Sequence, residues 1–355
     1  MDFITNKYAF HINKLSSNEK SVYNAILNSC KKHQETGFAW LTKNVDMLKV
    51  IKALKYDNPY LCNVNFLKGI EFSGTTYKIS YLDYDTSEID AEVDKIIELV
   101  KDLDEYGKVF FIHNYLCSLA FYDHKAIDSF DDRNSDPVAF TMYGCLVRKL
   151  CVCDGFGQTF SYLLNKLDIT NYVTIGTLNN LPHCVNAVMI NGKWCYIDVT
   201  CDIKEKEYSF TRRDKTVYPI KHIFFGVGKE ELLDAGYVSE DLVVDATNEY
   251  NYYLNNGWIY DSFPNIRRDI NKLCHRKEII NFRYDGKLSM NTLRKRLETV
   301  LSGHGILGFK VFILNKKYIS IIGGDLYEQK YWFNYKISKG FWKIFRFIFN
   351  FPCWW

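Results

Sequence analysis

Three side chains stand out for the chemistry they can do together. Cys153 opens the run Cys153-Asp154-Gly155-Phe156-Gly157, His183 opens His183-Cys184-Val185-Asn186, and Asp198 follows Trp194-Cys195-Tyr196-Ile197. A thiol, an imidazole and a carboxylate in that order supply a nucleophile, a general base and a group that orients the base. Acyl transfer on amides needs those three roles.

The elements around them are readable from pattern. Gly155 and Gly157 let backbone approach closely beside the thiol. Phe156, Phe160, Leu163, Leu164 and Leu167 then recur at intervals of three and four, which predicts a helix. Cys153 is therefore expected at or just before a helix N-terminus. Unpaired amides and the positive end of the dipole favour a thiolate there, and the same amides can stabilise an oxyanion. Val185 to Ile190 and Lys193 to Val199 read as strands joined by Asn191-Gly192, a strong signal for a two-residue hairpin turn. If Ile190 faces Lys193, Val185 faces Asp198. His183 then lies on the same face as Asp198 and diagonal to it, roughly 7–8 Å away at the backbone. Asp198 can thus accept a hydrogen bond from the imidazole while its other nitrogen turns to the thiol. Docking the thiol onto this face is left to tertiary packing.

Together the blocks resemble the transglutaminase-like superfamily of cysteine enzymes. The matching motifs are a Cys followed by Asp-Gly and an aromatic, a His with Asn three residues on, and Asp198-Val199-Thr200-Cys201-Asp202 at the end of a strand. Upstream, Lys108 to Asp123 is similar to the helix that precedes the core in bacterial members, through Ile112-His113-Asn114-Tyr115-Leu116 and Tyr122-Asp123. The resemblance covers about residues 105–230. It implies an α+β fold with a transglutaminase-like or papain-like core, a nucleophile helix packed on an antiparallel sheet. It also implies Cys153 as nucleophile, His183 as base and Asp198 as orienting residue. Three positions depart from the family: Cys201 stands where it usually has Trp, Cys184 where an aromatic often follows the His, and Asn114 where it has Asp. The departures bear on the shape of the substrate groove and leave the three chemical groups in place.

Other residues near the motifs are secondary candidates for the groove or the oxyanion pocket: Tyr143, Gly144, Asp154 and Asn186. Asn186 falls on the strand face opposite His183, which suits a structural role. His113 and Asp123 can support the core from behind. A zinc reading takes Cys151, Cys153, His183, Cys184, Cys195 and Cys201 as soft ligands. Cys151-Val152-Cys153 lacks the spacer of a zinc knuckle, and Cys195 and Cys201 are expected on the face away from His183 or beyond the hairpin end. No metal and no cofactor is therefore expected.

Length and composition bound the rest. A chain of 355 residues holds two or three domains, and a net charge of +3 points to no nucleic-acid partner. Eleven cysteines without framework spacing, and a start (Met1-Asp2-Phe3-Ile4) that lacks the basic and apolar runs of a signal peptide, suit a reducing cytoplasm. No apolar run has the length of a membrane span. Residues 1–104 read as a mostly helical lead-in. Ser16-Ser17-Asn18-Glu19 forms a capping box, Met47 to Leu54 forms a helix stopped near Asn58-Pro59, Tyr77 to Tyr81 alternates like a strand, and Ile89 to Leu103 makes an amphipathic helix. Residues 105–245 form the core, and 250–355 a small α/β unit. That unit has turns at Asn255-Asn256-Gly257 and Asp285-Gly286, a basic helix from about Met290, and strands flanking Asn315-Lys316-Lys317. It ends in an aromatic tail, 341–355, expected either to be buried against that unit or to contact a membrane surface or partner.

Two functions of different class follow. One is cysteine-dependent acyl transfer on a protein or peptide substrate, a peptidase or amidase with water as acceptor, or a transglutaminase with an amine. The other is a non-catalytic interaction module on the same fold, motivated by Cys201 and the aromatic tail.

Overall fold

The computed structural model describes residues 8–40, 44–128, 135–212, 215–273, 279–303 and 308–323. The aromatic tail, with the burial or contact expected of it, lies outside the described residues. Helices and antiparallel strands mix in an α+β arrangement, and the chain divides into two compact units, Met1–Ile259 and Tyr260–Trp355.

The first unit is built on a five-stranded antiparallel sheet. Its order is Phe225–Val227, Lys193–Ile197, Leu181–Ile190, Asn171–Leu178, Tyr237–Val238. The central hairpin turns at Asn191 and Gly192, both with positive φ (48° and 80°). Asn and Gly tolerate that conformation at least cost, and it matches the twist of the flanking strands. Ile190 faces Lys193 and Asn186 faces Ile197, the register read from the turn. The second strand of the hairpin is shorter than expected and stops at Ile197. Asp198 accepts a hydrogen bond from the Cys201 amide (3.0 Å) and so caps a one-turn helix, Val199–Asp202. Capping competes with strand extension because the aspartate side chain satisfies an amide that a ladder would otherwise pair.

The helix Cys153–Lys166 lies against this sheet, with Phe156, Phe160, Leu163 and Leu164 fully buried. Behind it runs the helix Glu105–Leu119, started by the cap of Asp104 on the Gly107 amide (2.7 Å). Ahead of both come the helix Ser17–Lys31, with the expected capping box of Ser16 and Glu19, and the helices Met47–Asp57 and Ser87–Val100. Met47–Asp57 ends where Asn58 precedes Pro59, a residue pair that disfavours the helical region. A three-stranded sheet joins Thr36–Phe38, Thr76–Ile79 and Ile70–Ser73. Phe10 and His11 dock on the main sheet: Phe10 stacks on Tyr172 at 3.8 Å, and His11 Nε2 lies 2.8 Å from the Val173 carbonyl.

In the second unit, Ile279–Tyr284, Tyr318–Gly323 and Phe309–Asn315 form antiparallel pairs, with helices Phe263–Leu273 and Met290–Gly303 beside them. Leu293, Leu297 and Leu301 give the second helix a single buried stripe, as the periodicity of a core-facing helix requires.

Candidate active site

Cys153 is the first residue of its helix, so its side chain sits among amides that have no partner within the helix. Two glycines set how closely this turn can approach its neighbours. A Cβ at Gly155 would lie 2.8 Å from Cys151 Cβ and 3.0 Å from the carbonyl oxygens of Ala139 and Thr141. At Gly157 it would lie 3.1 Å from Cys184 Sγ. Asn186, buried on the strand Leu181–Ile190, donates from Nδ2 to the Gly157 carbonyl (3.0 Å). That bond, and the packing of Cys153 against Cys184, Val173 and Tyr56, dock the thiol turn on the hairpin.

His183 sits on the same strand. Its Nε2 lies 2.7 Å from Asp198 Oδ2, with the carboxylate buried and the imidazole nearly so. Cys153 is near enough that it and His183 each shift the other's titration. The other oxygen of Asp198 is held by the Cys201 amide, which fixes the carboxylate plane toward the imidazole. The structure thus brings Cys153, His183 and Asp198 together.

The electrostatics follow from these contacts. Cys153 is pulled down to about 6, first by the hydrogen bond from Cys184 and then by that from His183, against the burial that would raise it. Cys184 is correspondingly pushed well up, first by its bond to Cys153 and then by burial, so it stays a thiol and a donor. For His183, burial works against the charged ring. The charge and hydrogen bond of Asp198, with bonds to Cys153 and Cys201, more than offset it and hold the imidazolium well above its ordinary range. Asp198 stays low despite burial because His183 and Cys201 stabilise the carboxylate. A thiolate beside an imidazolium near neutral pH is the resting state of an activated cysteine nucleophile.

Cys201 falls beyond the hairpin end, as expected, yet close to the imidazole: its Sγ is 3.9 Å from His183 Nε2. The one-turn helix after Asp198 folds it back over the hairpin end, where a continued strand would have carried it off. Among the described residues, His183, Asp198 and Cys201 present donor atoms within 4.8 Å of one another, a spacing that can hold a metal ion.

The secondary candidates have other partners. Tyr143 donates to Glu88 (3.2 Å) and stacks on Tyr84 with ring centres 4.3 Å apart. Gly144 opens a π-helical turn, and a Cβ there would lie 2.5 Å from the Val138 carbonyl oxygen, so the glycine serves close backbone packing. Asp154 is engaged by the Lys55 ammonium and by the Tyr56 hydroxyl (2.6 Å), which ties the helix Met47–Asp57 to the residue beside the thiol. Nothing local in the sequence signals Lys55, Tyr56 or Cys184. The first two sit about a hundred positions from their partner, and Cys184, read from sequence as a soft ligand or a change in the groove, gives no local sign of its contact with Cys153.

His113 is fully buried, with Nε2 3.2 Å from Asp202 Oδ2. Asp202 also accepts from the amides of Ile223 (2.7 Å) and Phe224 (3.0 Å). This set fastens the turn that carries Asp198 to the helix Glu105–Leu119. Asp123 caps a short helix through the Ala126 amide (3.1 Å).

No protein-family model matches the chain, and no curated protein matches it. Among solved structures it is similar to a TGase, at 18% identity over 57% of this chain and 52% of that one, with a TM-score of 0.30. It is also similar to a candidate cysteine protease from Cytophaga hutchinsonii, at 19% identity over 37% of this chain and 55% of that one, with a TM-score of 0.25. The chain therefore spans about half the length of each of these two structures.

Proposed function

We propose that this protein is a cysteine-dependent acyl-transfer enzyme on a transglutaminase-like or papain-like core. Its substrate class is a peptide bond or a glutamine carboxamide, with water as the usual acceptor. The observation that carries this reading is the pairing of His183 with Asp198 at 2.7 Å beside a thiol on the first turn of a helix, Cys153, which is lowered to about 6, in part by His183.

The steps follow from that arrangement. The Cys153 thiolate attacks the carbonyl carbon, and the carbonyl electrons move to oxygen, whose developing charge the positive end of the Cys153–Lys166 helix favours. The His183 imidazolium gives its proton to the leaving nitrogen as the C–N bond breaks, leaving an acyl-thioester and a neutral ring. Water then attacks the thioester while His183 takes its proton, and the acid leaves with the thiolate restored. Asp198 stabilises the imidazolium in both halves. An amine in place of water gives a crosslink through the same intermediate.

The test is to mix the folded protein with an activated acyl ester and follow intact mass, with peptide mapping of the adduct. We expect one acyl group on Cys153 that turns over in the wild type, none in C153A, and much slower acylation in H183A. Adding a primary amine reads the acceptor by the ratio of amide to acid released. No adduct in folded wild type, or an adduct on another cysteine, overturns the proposal.

A further inference from the structure

The turn after Asp198 brings a second thiol to the imidazole. Cys201 Sγ lies 3.9 Å from His183 Nε2, which lies 2.7 Å from Asp198 Oδ2. We propose that His183, Asp198 and Cys201 form a site for a borderline divalent transition ion, Zn2+ by donor chemistry, and that ion binding and acyl transfer exclude each other. The second half of this proposal rests on the function above; the first does not.

Donor type, geometry and support all favour the site. Thiolate, imidazole and carboxylate are the three ligand kinds that zinc takes, and three protein ligands with an open fourth position is a recurrent zinc arrangement. With Zn–S of about 2.3 Å and Zn–N and Zn–O of about 2.0–2.2 Å, a tetrahedral ion needs S and N about 3.6 Å apart and N and O about 3.4 Å apart. Against the observed 3.9 and 2.7 Å, the thiol moves in by a few tenths of an ångström and the carboxylate opens by less than one. The ligands are also held from behind. Asp198 Oδ1 is fixed by the Cys201 amide, and the turn bearing both residues is anchored through Asp202 to His113 and to two backbone amides. Such outer contacts orient ligands and raise affinity. The imidazole is 9% exposed and Cys201 is partly exposed, which leaves a path for entry.

The proton balance gives the consequence. The ion replaces the proton on His183 Nε2 and the proton on the Cys201 thiol; both pass to solvent, and no electrons move. His183 then keeps its remaining proton on Nδ1, so it has no lone pair with which to accept one. Asp198 is turned to the metal and no longer holds the ring for acid–base work.

The test uses the full chain, stripped with a chelator, and compares wild type with C201A and C201S, each checked for folding by circular dichroism. Zn2+ binding is measured by calorimetry, Co2+ binding by its thiolate charge-transfer and tetrahedral visible bands, and Cys153 by its iodoacetamide rate with and without Zn2+. We expect wild type to bind both ions and Zn2+ to slow Cys153 alkylation. In both variants affinity should fall by about ten-fold or more, the cobalt bands should vanish and protection should be lost. Equal Zn2+ protection in wild type and both variants would place the ion on Cys153 and overturn the site, as would no Zn2+ binding by the folded wild type. Cys201-dependent cobalt bands in a protein whose Cys153 is unreactive would keep the metal site and reject the acyl-transfer reading.

Discussion

Asp198 uses one carboxylate for two purposes. Oδ2 holds the His183 ring and Oδ1 caps the turn that begins at Val199. Substitutions separate them. Asparagine keeps a capping oxygen but carries no charge to hold an imidazolium, whereas alanine loses both. D198N should therefore fold with little loss of stability and still show a Cys153 alkylation rate at neutral pH reduced about ten-fold or more. That factor corresponds to about 1.4 kcal/mol of lost charge interaction. D198A should show the same loss of reactivity and a further drop in stability of about 1 kcal/mol from the missing cap. Thermal or urea unfolding beside alkylation kinetics reads both. If D198N and D198A lose stability equally, the capping account is wrong.

At the scale of elements, what matters is how the thiol helix meets the hairpin. Gly157 faces Cys184, and a methyl group there would stand 3.1 Å from the sulfur that hydrogen-bonds Cys153. G157A raises intrinsic helix propensity by about 1 kcal/mol, yet overpacking costs about 1–3 kcal/mol. The expected result is a net loss of stability together with a Cys153 pKa above the wild-type value, read by alkylation against pH. An unchanged pKa would mean the Cys184 contact does not tune the thiol. The hairpin register, the helix start at Cys153 and the capping box at Ser16 were all legible in the sequence, because each is written in turn chemistry or periodicity over a few residues. The docking was not. Asn186 to Gly157, Tyr56 and Lys55 to Asp154, and His113 to Asp202 join residues about thirty to a hundred positions apart, and no local pattern encodes such partners. The strand expected through Val199 illustrates the same limit. Its residues suit a strand, but Asp198 accepts an amide three residues on and ends it.

Across the whole molecule, the first unit holds the lead-in helices and the core together. Phe10 and His11 lie on the sheet strand Asn171–Leu178, and Lys14 and Lys52 both pair with Asp241 at 2.6 Å. No helix among the described residues is long and apolar enough to cross a membrane. The small second unit follows its sequence pattern of hairpin and basic helix. On the proposed reading, the sheet, the helices and the caps jointly keep a thiolate and an imidazolium side by side near neutral pH. That state is measurable without knowing the substrate. The rate of Cys153 alkylation by iodoacetamide, resolved per cysteine by mass spectrometry and followed against pH, should rise with a midpoint near 6 in the wild type. In H183A, where the imidazolium and its hydrogen bond are gone, the midpoint should move up toward the ordinary thiol range of about 8.5. A folded wild type whose Cys153 titrates near 8.5, or whose profile is unmoved by H183A, would contradict the account.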